Sequence, residues 1–308
     1  MKRASIDLGT NTCLLLIEEL EGQTVTILHD ESNVVRLGQG VDQTGELNPS
    51  AMERANVCLK KYAIIAQDFG VDPKSIQAVG TAQARDAKNA ALFFADIEKL
   101  TGIRFRVLTG EEEAKATFLG AALPGLDSNK MVVMDIGGGS TEIVAMPDEN
   151  KKILGQSLNI GAVRMTERYL KSDPVTDEEF WRCEEAINEA LSALKPWRET
   201  LRRLNQTDPI LVTVAGTAVT LAMLQQSIPT YDRAEIDGLV LTKGDAHRLV
   251  EELKWRTLAE RQLMPGMEAK RADVMLAGAL IYWRMMEELD FKEARVSTRG
   301  LRYGIFKL

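Results

Sequence analysis

The sequence predicts an α/β protein with two similar domains, and a repeated segment is the first reason. One copy reads Ile6-Asp7-Leu8-Gly9-Thr10-Asn11-Thr12, and the other reads Met134-Asp135-Ile136-Gly137-Gly138-Gly139-Ser140. Each copy has an aspartate before a glycine turn, and each turn lies between two apolar runs that are typical of buried strands. The second reason is that strands and helices alternate along the chain. Two copies of one strand–turn–strand unit indicate a duplicated domain.

The first domain is predicted over residues 1–123. Strands are expected at residues 4–8, 13–20, 24–28 and 34–37, which together form a β-meander. A helix begins at Asn48-Pro49 and ends at Gly70, because asparagine is a good N-cap and proline fits the first turn. There follow a strand at 75–80, a polar connection at 81–89 that holds Arg85, a helix at 90–100, a strand at 103–108 and a helix at 110–122. Thr109 and Glu112 have the spacing of a capping box at the start of that last helix.

The second domain is predicted over residues 124–308, and its last segment is expected to pack back on the first domain. Strands are expected at 131–136, 142–146, 153–158, 210–214 and 294–297. Helices are expected at 161–170, at 176–204 with a break or kink at Pro196, at 242–255 and at 274–289. The apolar helix that contains Met285 and Met286 fits the core or a dimer face, and the core is the first expectation.

Composition limits the function classes. A chain of 308 residues that is 45% apolar is long enough for about two domains with real cores. The net charge of −7 argues against nucleic acid as the main partner, although a metal ion and a few arginines can still create a local site for a polyanion. Two histidines and three scattered cysteines form no zinc pattern. With no long apolar segment or signal peptide, we expect a cytoplasmic protein without a membrane partner.

The two glycine turns are candidate phosphate loops. Adjacent glycines make poor strand or helix interiors, but they let backbone N–H groups approach a phosphate closely. A single turn of this kind is more often only a hairpin turn, and the second copy is what favours phosphate binding. Asp135 at its strand end is placed to hold Mg²⁺ against a phosphate. Gly216 and Thr217 open another helix, whose N-terminus is a third candidate anion site.

The motifs together resemble the exopolyphosphatase/guanosine pentaphosphate phosphohydrolase family over essentially the whole chain. The resemblance rests on the two aspartate–glycine turns and on Gly80-Thr81 with Arg85, Gly110-Glu111-Glu112-Glu113-Ala114, Thr141-Glu142, Gly161-Ala162-Val163-Arg164, Gly216-Thr217 and Gly300-Leu301-Arg302. It implies a duplicated actin-like (ribonuclease-H-like) ATPase fold with the active site in an interdomain cleft. We expect the chain to be similar to the short members, which lack a C-terminal helical HD-like domain. Without the long basic channel of that domain, we do not expect processive action on long chains.

The resemblance also implies roles for individual residues. Glu113 matches the proposed general base, a choice that spacing alone cannot make among the three neighbouring glutamates. Asp135 and Glu142 match the acidic positions near the metal ion and the attacking water, and Asp7 is a further expected metal ligand. Arg85 matches an arginine that faces the phosphates. The implied phosphate-binding residues are Thr10, Asn11, Thr12, Gly137, Gly138, Gly139, Ser140, Gly216 and Thr217. Arg164, Arg271 and Arg299 are further candidates for an electropositive wall, and Tyr303 has no expected role.

The expected function is Mg²⁺-assisted release of terminal phosphate from inorganic polyphosphate by in-line attack of water. Guanosine pentaphosphate is the second candidate substrate, and another divalent cation and a homodimer are both compatible with the sequence. We expect the helix dipole to lower the pKa of Glu113. Two alternatives stay open: an ATP-dependent kinase or ATPase with a nucleoside pocket at Gly216 and Thr217, and a non-catalytic sensor of polyphosphate or an alarmone nucleotide.

Overall fold

The chain divides into two compact units in a computed structural model that describes residues 1–146, 154–204 and 209–308, with the backbone alone for residues 200–204. The first unit comprises Met1–Gly120 and Leu301–Leu308, and the second comprises Ala121–Gly300. The first residue of the strand predicted at 153–158 lies outside the described residues. No helix in the described ranges combines the length and apolar character needed to cross a bilayer.

The first unit has five strands and five helices before the chain enters the second unit. The strands are β1 (Lys2–Leu8), β2 (Thr12–Glu21), β3 (Thr24–Val34), β4 (Gln77–Gly80) and β5 (Phe105–Val107). The helices are α1 (Val41–Thr44), α2 (Pro49–Asp68), α3 (Ala82–Asp86), α4 (Ala90–Thr101) and α5 (Gly110–Ala121). The predicted start of α2 is confirmed, because the Asn48 side chain accepts a hydrogen bond from the Ala51 N–H at 2.8 Å.

The second unit continues with six strands and eight helices in its described part. The strands are β6 (Met131–Ile136), β7 (Thr141–Ala145), β8 (Leu154–Leu158), β9 (Ile210–Val214), β10 (Val240–Thr242) and β11 (Glu293–Val296). The helices are α6 (Ala162–Tyr169), α7 (Asp177–Leu191), α8 (Lys195–Leu204), α9 (Ala215–Gln226), α10 (Arg233–Ile236), α11 (Lys243–Lys254), α12 (Leu258–Gln262) and α13 (Met275–Glu288). The chain then returns to the first unit with α14 (Leu301–Gly304) and one 3₁₀ turn, Ile305–Lys307.

The two units contain the same sheet. The strand order is β3-β2-β1-β4-β5 in the first unit and β8-β7-β6-β9-β11-β10 in the second. In both sheets the first two strand pairs are antiparallel and the next two are parallel. Only β10, antiparallel to β11, has no counterpart in the first sheet. The predicted duplicated actin-like α/β fold is therefore confirmed.

Two local predictions are wrong. No separate strand forms at 34–37, because β3 already runs to Val34 and the N–H groups of Val35 and Arg36 then donate to the Asn11 carbonyl at 3.0 and 2.9 Å. The polar connection at 81–89 contains the short helix α3, in which the Ala84 N–H donates to the Thr81 carbonyl at 2.9 Å. Polar composition suggested a loop at α3, but a single helical turn needs no long apolar period.

Each unit has its own hydrophobic core. In the first unit the inner faces of β1 and β2 pack with Leu59 and Tyr62 of α2. In the second unit α13 lies in the centre of the core, and Met285 and Met286 are both fully buried. The apolar helix is thus a core helix, as the sequence favoured.

Candidate active site

The two aspartate–glycine turns have one geometry. The Gly9 N–H donates to the Thr12 carbonyl at 2.8 Å, and at the matching position the Gly137 N–H donates to the Ser140 carbonyl at 3.0 Å. Each turn joins two antiparallel strands, with the aspartate on the first strand. The sequence repeat therefore reflects a structural repeat, with one loop in each unit.

The second loop is fixed through its carbonyl groups. The Gly138 carbonyl accepts from the N–H groups of Val163 and Arg164 at 2.9 and 3.0 Å, and the Gly139 carbonyl accepts from Arg164 Nε at 2.7 Å. Within the described ranges, no carbonyl or side chain accepts from the N–H groups of Gly138 and Gly139. Such a row of free N–H groups is the arrangement that binds phosphate oxygens.

Gly161 allows this approach of α6 to the loop. A Cβ atom at Gly161 would lie 2.5 Å from both the carbonyl carbon and the carbonyl oxygen of Gly138. Only glycine leaves room for the backbone of the loop at this distance. The glycine that opens the motif Gly161-Ala162-Val163-Arg164 is therefore explained by close packing against the second glycine turn.

The first loop is held in a similar way. The Gly38 N–H donates to the Thr10 carbonyl at 2.9 Å, and Thr10 Oγ1 donates to Gln83 Oε1 at 3.2 Å. The Gln83 amide in turn donates to the Leu8 carbonyl at 2.6 Å. Asn11 is buried, and its Oδ1 atom has no hydrogen-bond partner among the described residues. The carbonyl side of this loop is also occupied by the protein, which leaves Thr10 and Asn11 as candidates to contact a ligand.

The Asp7 carboxylate has one oxygen atom without a hydrogen-bond partner among the residues that the structure describes. Its Oδ1 atom is shielded from solvent and has no hydrogen-bond partner in the described part of the chain. Burial, and secondarily the negative charge of Glu113, raises the pKa of Asp7 to about 7, while the positive charge of Arg302 opposes this shift. A buried, unpartnered carboxylate oxygen fits a site for a hard divalent cation, which would satisfy that oxygen and favour the ionised form.

Glu113 forms an ion pair with Arg85. Arg85 Nη1 donates to Glu113 Oε2 at 2.6 Å and to the Leu108 carbonyl at 2.9 Å, and only 13% of the Glu113 side chain is exposed. Burial raises the pKa of Glu113, although the Arg85 charge and hydrogen bond lower it. The expectation that the helix dipole lowers this pKa is therefore wrong, because desolvation of the carboxylate is the larger effect.

The structure separates Glu113 from the two preceding glutamates. Glu112 closes the predicted capping box, since its carboxylate accepts from the Thr109 N–H at 2.9 Å and the Thr109 hydroxyl accepts from the Glu112 N–H at 3.2 Å. Glu111 is exposed. Of the three, only Glu113 is largely buried beside an arginine and close enough to Asp7 to affect its pKa. Spacing alone could not make this distinction.

Asp135 and Glu142 lie directly opposite each other on β6 and β7. Side chains paired in this way are about 5 Å apart at Cβ, so the two carboxylates are close enough to contact the same ion. Glu142 is buried and accepts a hydrogen bond from Ser157 Oγ at 2.7 Å. The pair fits the one or two carboxylates that Mg²⁺ takes, although no group of three or more histidine, cysteine or acidic side chains in the described ranges could hold a metal ion by itself.

The third candidate anion site has its polar groups partly occupied. Thr217 Oγ1 donates to the Ile136 carbonyl at 3.1 Å, so this hydroxyl supports the strand that leads into the second loop. The Arg271 guanidinium lies against Gly216, where a Cβ atom would be 2.0 Å from Nη1, and Arg271 Nε is bound to Glu268 Oε2 at 2.7 Å. Gly216 thus leaves room for the Arg271 guanidinium in the position that it occupies here. Among the other candidate arginines, Arg299 pairs with Asp237 at 3.3 Å.

Reasoning from sequence missed two supporting residues, Gln83 and Ser157, and it assigned no role to a third, Arg302. Gln83 and Ser157 support the first loop and Glu142, but an isolated polar residue in a helix or strand carries no sequence signal of this role. Arg302 was noticed only as part of a motif, and its charge acts on Asp7. Tyr303 donates to Asp30 Oδ2 at 2.6 Å, which gives it a structural role.

Two repeated units, each with an aspartate before a phosphate-type loop, define a protein of the duplicated actin-like class. The family model described as the Ppx/GppA phosphatase family matches residues 16–307. The chain belongs to this family.

Relatives agree with this assignment. The chain is 37% identical over 301 residues to exopolyphosphatase 2 of Mycobacterium tuberculosis, across 93% of this chain and 90% of that protein. It is 30% identical over 303 residues to the guanosine-5'-triphosphate,3'-diphosphate pyrophosphatase of Photobacterium profundum, across 98% of this chain and 58% of that protein. A solved exopolyphosphatase from Cytophaga hutchinsonii superposes with a TM-score of 0.87 at 27% identity, over 100% of this chain and 97% of that one. The Ppx/GppA member from Aquifex aeolicus gives a TM-score of 0.76 at 30% identity, over 99% and 96%.

Proposed function

We propose that this protein is an exopolyphosphatase, which hydrolyses the terminal phosphoanhydride bond of inorganic polyphosphate and releases orthophosphate. The observation that carries the proposal is the largely buried Glu113 carboxylate, which is paired with Arg85 and close enough to Asp7 to affect its pKa, in a chain that has two phosphate-type loops. The relative from Mycobacterium tuberculosis, which matches nearly the whole chain and is named an exopolyphosphatase, supports the choice of substrate.

Glu113 is the proposed base that orients and deprotonates the attacking water. A base works best when its pKa is near the working pH, and burial moves the pKa of Glu113 upward from that of an exposed glutamate. Arg85 holds the carboxylate through one oxygen and is itself held by the Leu108 carbonyl, so Glu113 Oε2 has a defined position. General-base assistance of this kind contributes roughly 10²–10⁴-fold to a rate.

The phosphate loops supply the proposed electrostatic part of catalysis. The N–H groups of Gly138 and Gly139 are donors held in place by the loop, so they need no reorganisation during the reaction. Thr10, Asn11 and Thr12 would bind phosphate in the same way at the first loop. Asp7, Asp135 and Glu142 would hold Mg²⁺ or a similar divalent cation. That cation would neutralise negative charge on the phosphate that leaves and on the one that remains.

Guanosine pentaphosphate is the second proposed substrate, because the relative from Photobacterium profundum is named for a pyrophosphatase activity on that nucleotide. We also propose a cytoplasmic location.

The direct test is orthophosphate release from polyphosphates of several chain lengths, guanosine pentaphosphate and ATP, each with and without Mg²⁺. The proposal predicts Mg²⁺-dependent release from polyphosphate at a rate well above that from ATP. Turnover confined to ATP with transfer to an acceptor would favour a kinase, and tight binding of polyphosphate without turnover would favour a sensor.

A further inference from the structure

The last residues of the chain lie between the two elements that carry Asp7 and Glu113. We define residues 301–307 as the C-terminal segment, which belongs to the first unit. On one side, the buried Ser5 Oγ donates to the Arg302 carbonyl at 2.7 Å. Ser5 and Asp7 are two residues apart on β1, so their side chains point to the same face of the sheet. The C-terminal segment therefore packs on the face of the sheet toward which Asp7 points.

On the other side, the C-terminal segment packs against α5. A Cβ atom at Gly304 would lie 1.7 Å from the Ala116 carbonyl oxygen and 2.5 Å from its carbonyl carbon, so only glycine permits this contact. Ala116 comes three residues after Glu113, on a neighbouring part of the helix surface. Lys307 Nζ also donates to the Leu119 carbonyl of α5 at 2.8 Å.

A small apolar cluster fills the space around this contact. Leu301 and Ile305 pack with Val79, Leu108 and Ala116, and all five are buried. Leu108 is also the residue whose carbonyl accepts from Arg85. The cluster thus joins the C-terminal segment both to α5 and to the backbone that fixes the partner of Glu113.

The C-terminal segment is itself held in one position by charge and aromatic contacts. Arg302 binds both carboxylate oxygens of Asp30, with Nε at 2.9 Å and Nη2 at 3.1 Å, and the Tyr303 hydroxyl donates to the same carboxylate. Arg302 is buried, and the Arg3 guanidinium lies 4.2 Å from the centre of the Phe306 ring. A two-point arginine–carboxylate pair fixes orientation as well as distance. The segment is therefore a rigid spacer rather than a loose tail.

We infer that the C-terminal segment is a positioning element of the reaction, which sets the position of Glu113 relative to Asp7. The inference rests on the proposed function. Gly304 determines how closely α5 approaches the segment, and the Arg302–Asp30 pair determines where the segment lies on the sheet. Because a shift of about 1 Å in a reacting group can lower a rate about 10²-fold, even a small displacement of α5 has a measurable effect on turnover.

The test uses Gly304→Ala, with Gly244→Ala as the matched control. Gly244 is also helical, has only a Thr242 Oγ1 contact at 3.7 Å, and lies in the other unit. For Gly304→Ala we expect kcat on polyphosphate to fall about 10–100-fold, by the same positional argument, while KM changes less than about twofold because the phosphate loops are intact. Gly244→Ala should retain both constants.

A second variant serves if Gly304→Ala does not fold. Arg302→Lys retains the charge but loses the two-point contact with Asp30, and we expect a fall of about 5–20-fold in kcat with KM again unchanged. Folded variants with wild-type kcat, or with a rise in KM in place of the fall in kcat, would overturn the inference. If the wild-type protein itself releases no phosphate from polyphosphate, the proposed function fails instead.

Discussion

The strongest prediction concerns the stability of the protein when Asp7 is neutralised. Asp7→Asn replaces a buried carboxylate by an amide of nearly the same shape. In the metal-free protein the pKa of Asp7 is raised from 3.8 to about 7. An acid with a raised pKa in the folded state destabilises that state as pH rises, because the unfolded chain gives up its proton first. This loss of folding stability is absent below pH 3.8, grows between pH 3.8 and pH 7, and is complete above pH 7.

The magnitude follows from the size of the shift. About three pKa units at 1.36 kcal/mol each correspond to about 4 kcal/mol above pH 7. Because the residue as a whole is half-buried, we expect Asp7→Asn to raise the free energy of unfolding by about 2–4 kcal/mol at pH 8 and by about 1 kcal/mol at pH 5. Asp96→Asn, at an exposed side chain, is the control and should change stability by less than about 0.5 kcal/mol at either pH.

The assay is urea denaturation at both pH values in the presence of a chelator, followed by a repeat with Mg²⁺. If Asp7 is a ligand of the cation, Mg²⁺ stabilises the wild-type protein at pH 8 by an amount that depends on its concentration, and it stabilises Asp7→Asn much less. Two results would refute the reasoning: a variant that is less stable than wild type in the chelator at pH 8, or equal stabilisation of both proteins by Mg²⁺.

Three further predictions concern the base, the second loop and the support of Glu142. Because burial raises the pKa of Glu113, kcat/KM for polyphosphate should rise with pH as Glu113 loses its proton, and the midpoint of this rise should lie above the ordinary glutamate pKa of 4.5. A pH profile with its midpoint at or below 4.5 contradicts this prediction. Gly161→Ala should raise KM for polyphosphate at least about tenfold, because the new Cβ atom would displace the Gly138 carbonyl. An unchanged KM in steady-state kinetics would show that the packing of Gly161 against Gly138 does not affect substrate binding. Ser157→Ala removes the hydrogen-bond donor to Glu142, so thermal or urea denaturation should show a loss of about 0.5–1.5 kcal/mol. The Mg²⁺ concentration for half-maximal activity should also shift, and no change in either quantity would exclude this role.

Much of the fold could be predicted because the signals are local. The repeated aspartate–glycine turn in two apolar hairpins indicated the duplication, and the matching hydrogen bonds of Gly9 and Gly137 show why the two sequences are alike. The capping signals at Asn48 and Thr109 predicted helix starts, since a cap is a contact within four residues.

The parts that could not be predicted depend on contacts between distant residues. The pKa of Glu113 is set by burial under neighbouring elements, which a helix-dipole argument on the local sequence cannot include. The roles of Gln83 and Arg302 likewise come from partners 75 and 272 residues away in the chain. Gly304 was part of no motif, and its importance appears only when Ala116 is seen to occupy the space of its missing side chain.

The central claim is that Glu113 in its pair with Arg85 is the base that activates water for phosphate release. The most direct measurement compares single-turnover release of phosphate from polyphosphate by wild type, Glu113→Gln and Glu111→Gln, with circular dichroism to show that each is folded. Glu111 lies two residues away in the same helical turn and is exposed, so it controls for charge at the start of α5. We expect a loss of about 10²–10⁴-fold for Glu113→Gln and a near wild-type rate for Glu111→Gln. Equal rates in wild type and a folded Glu113→Gln would contradict it.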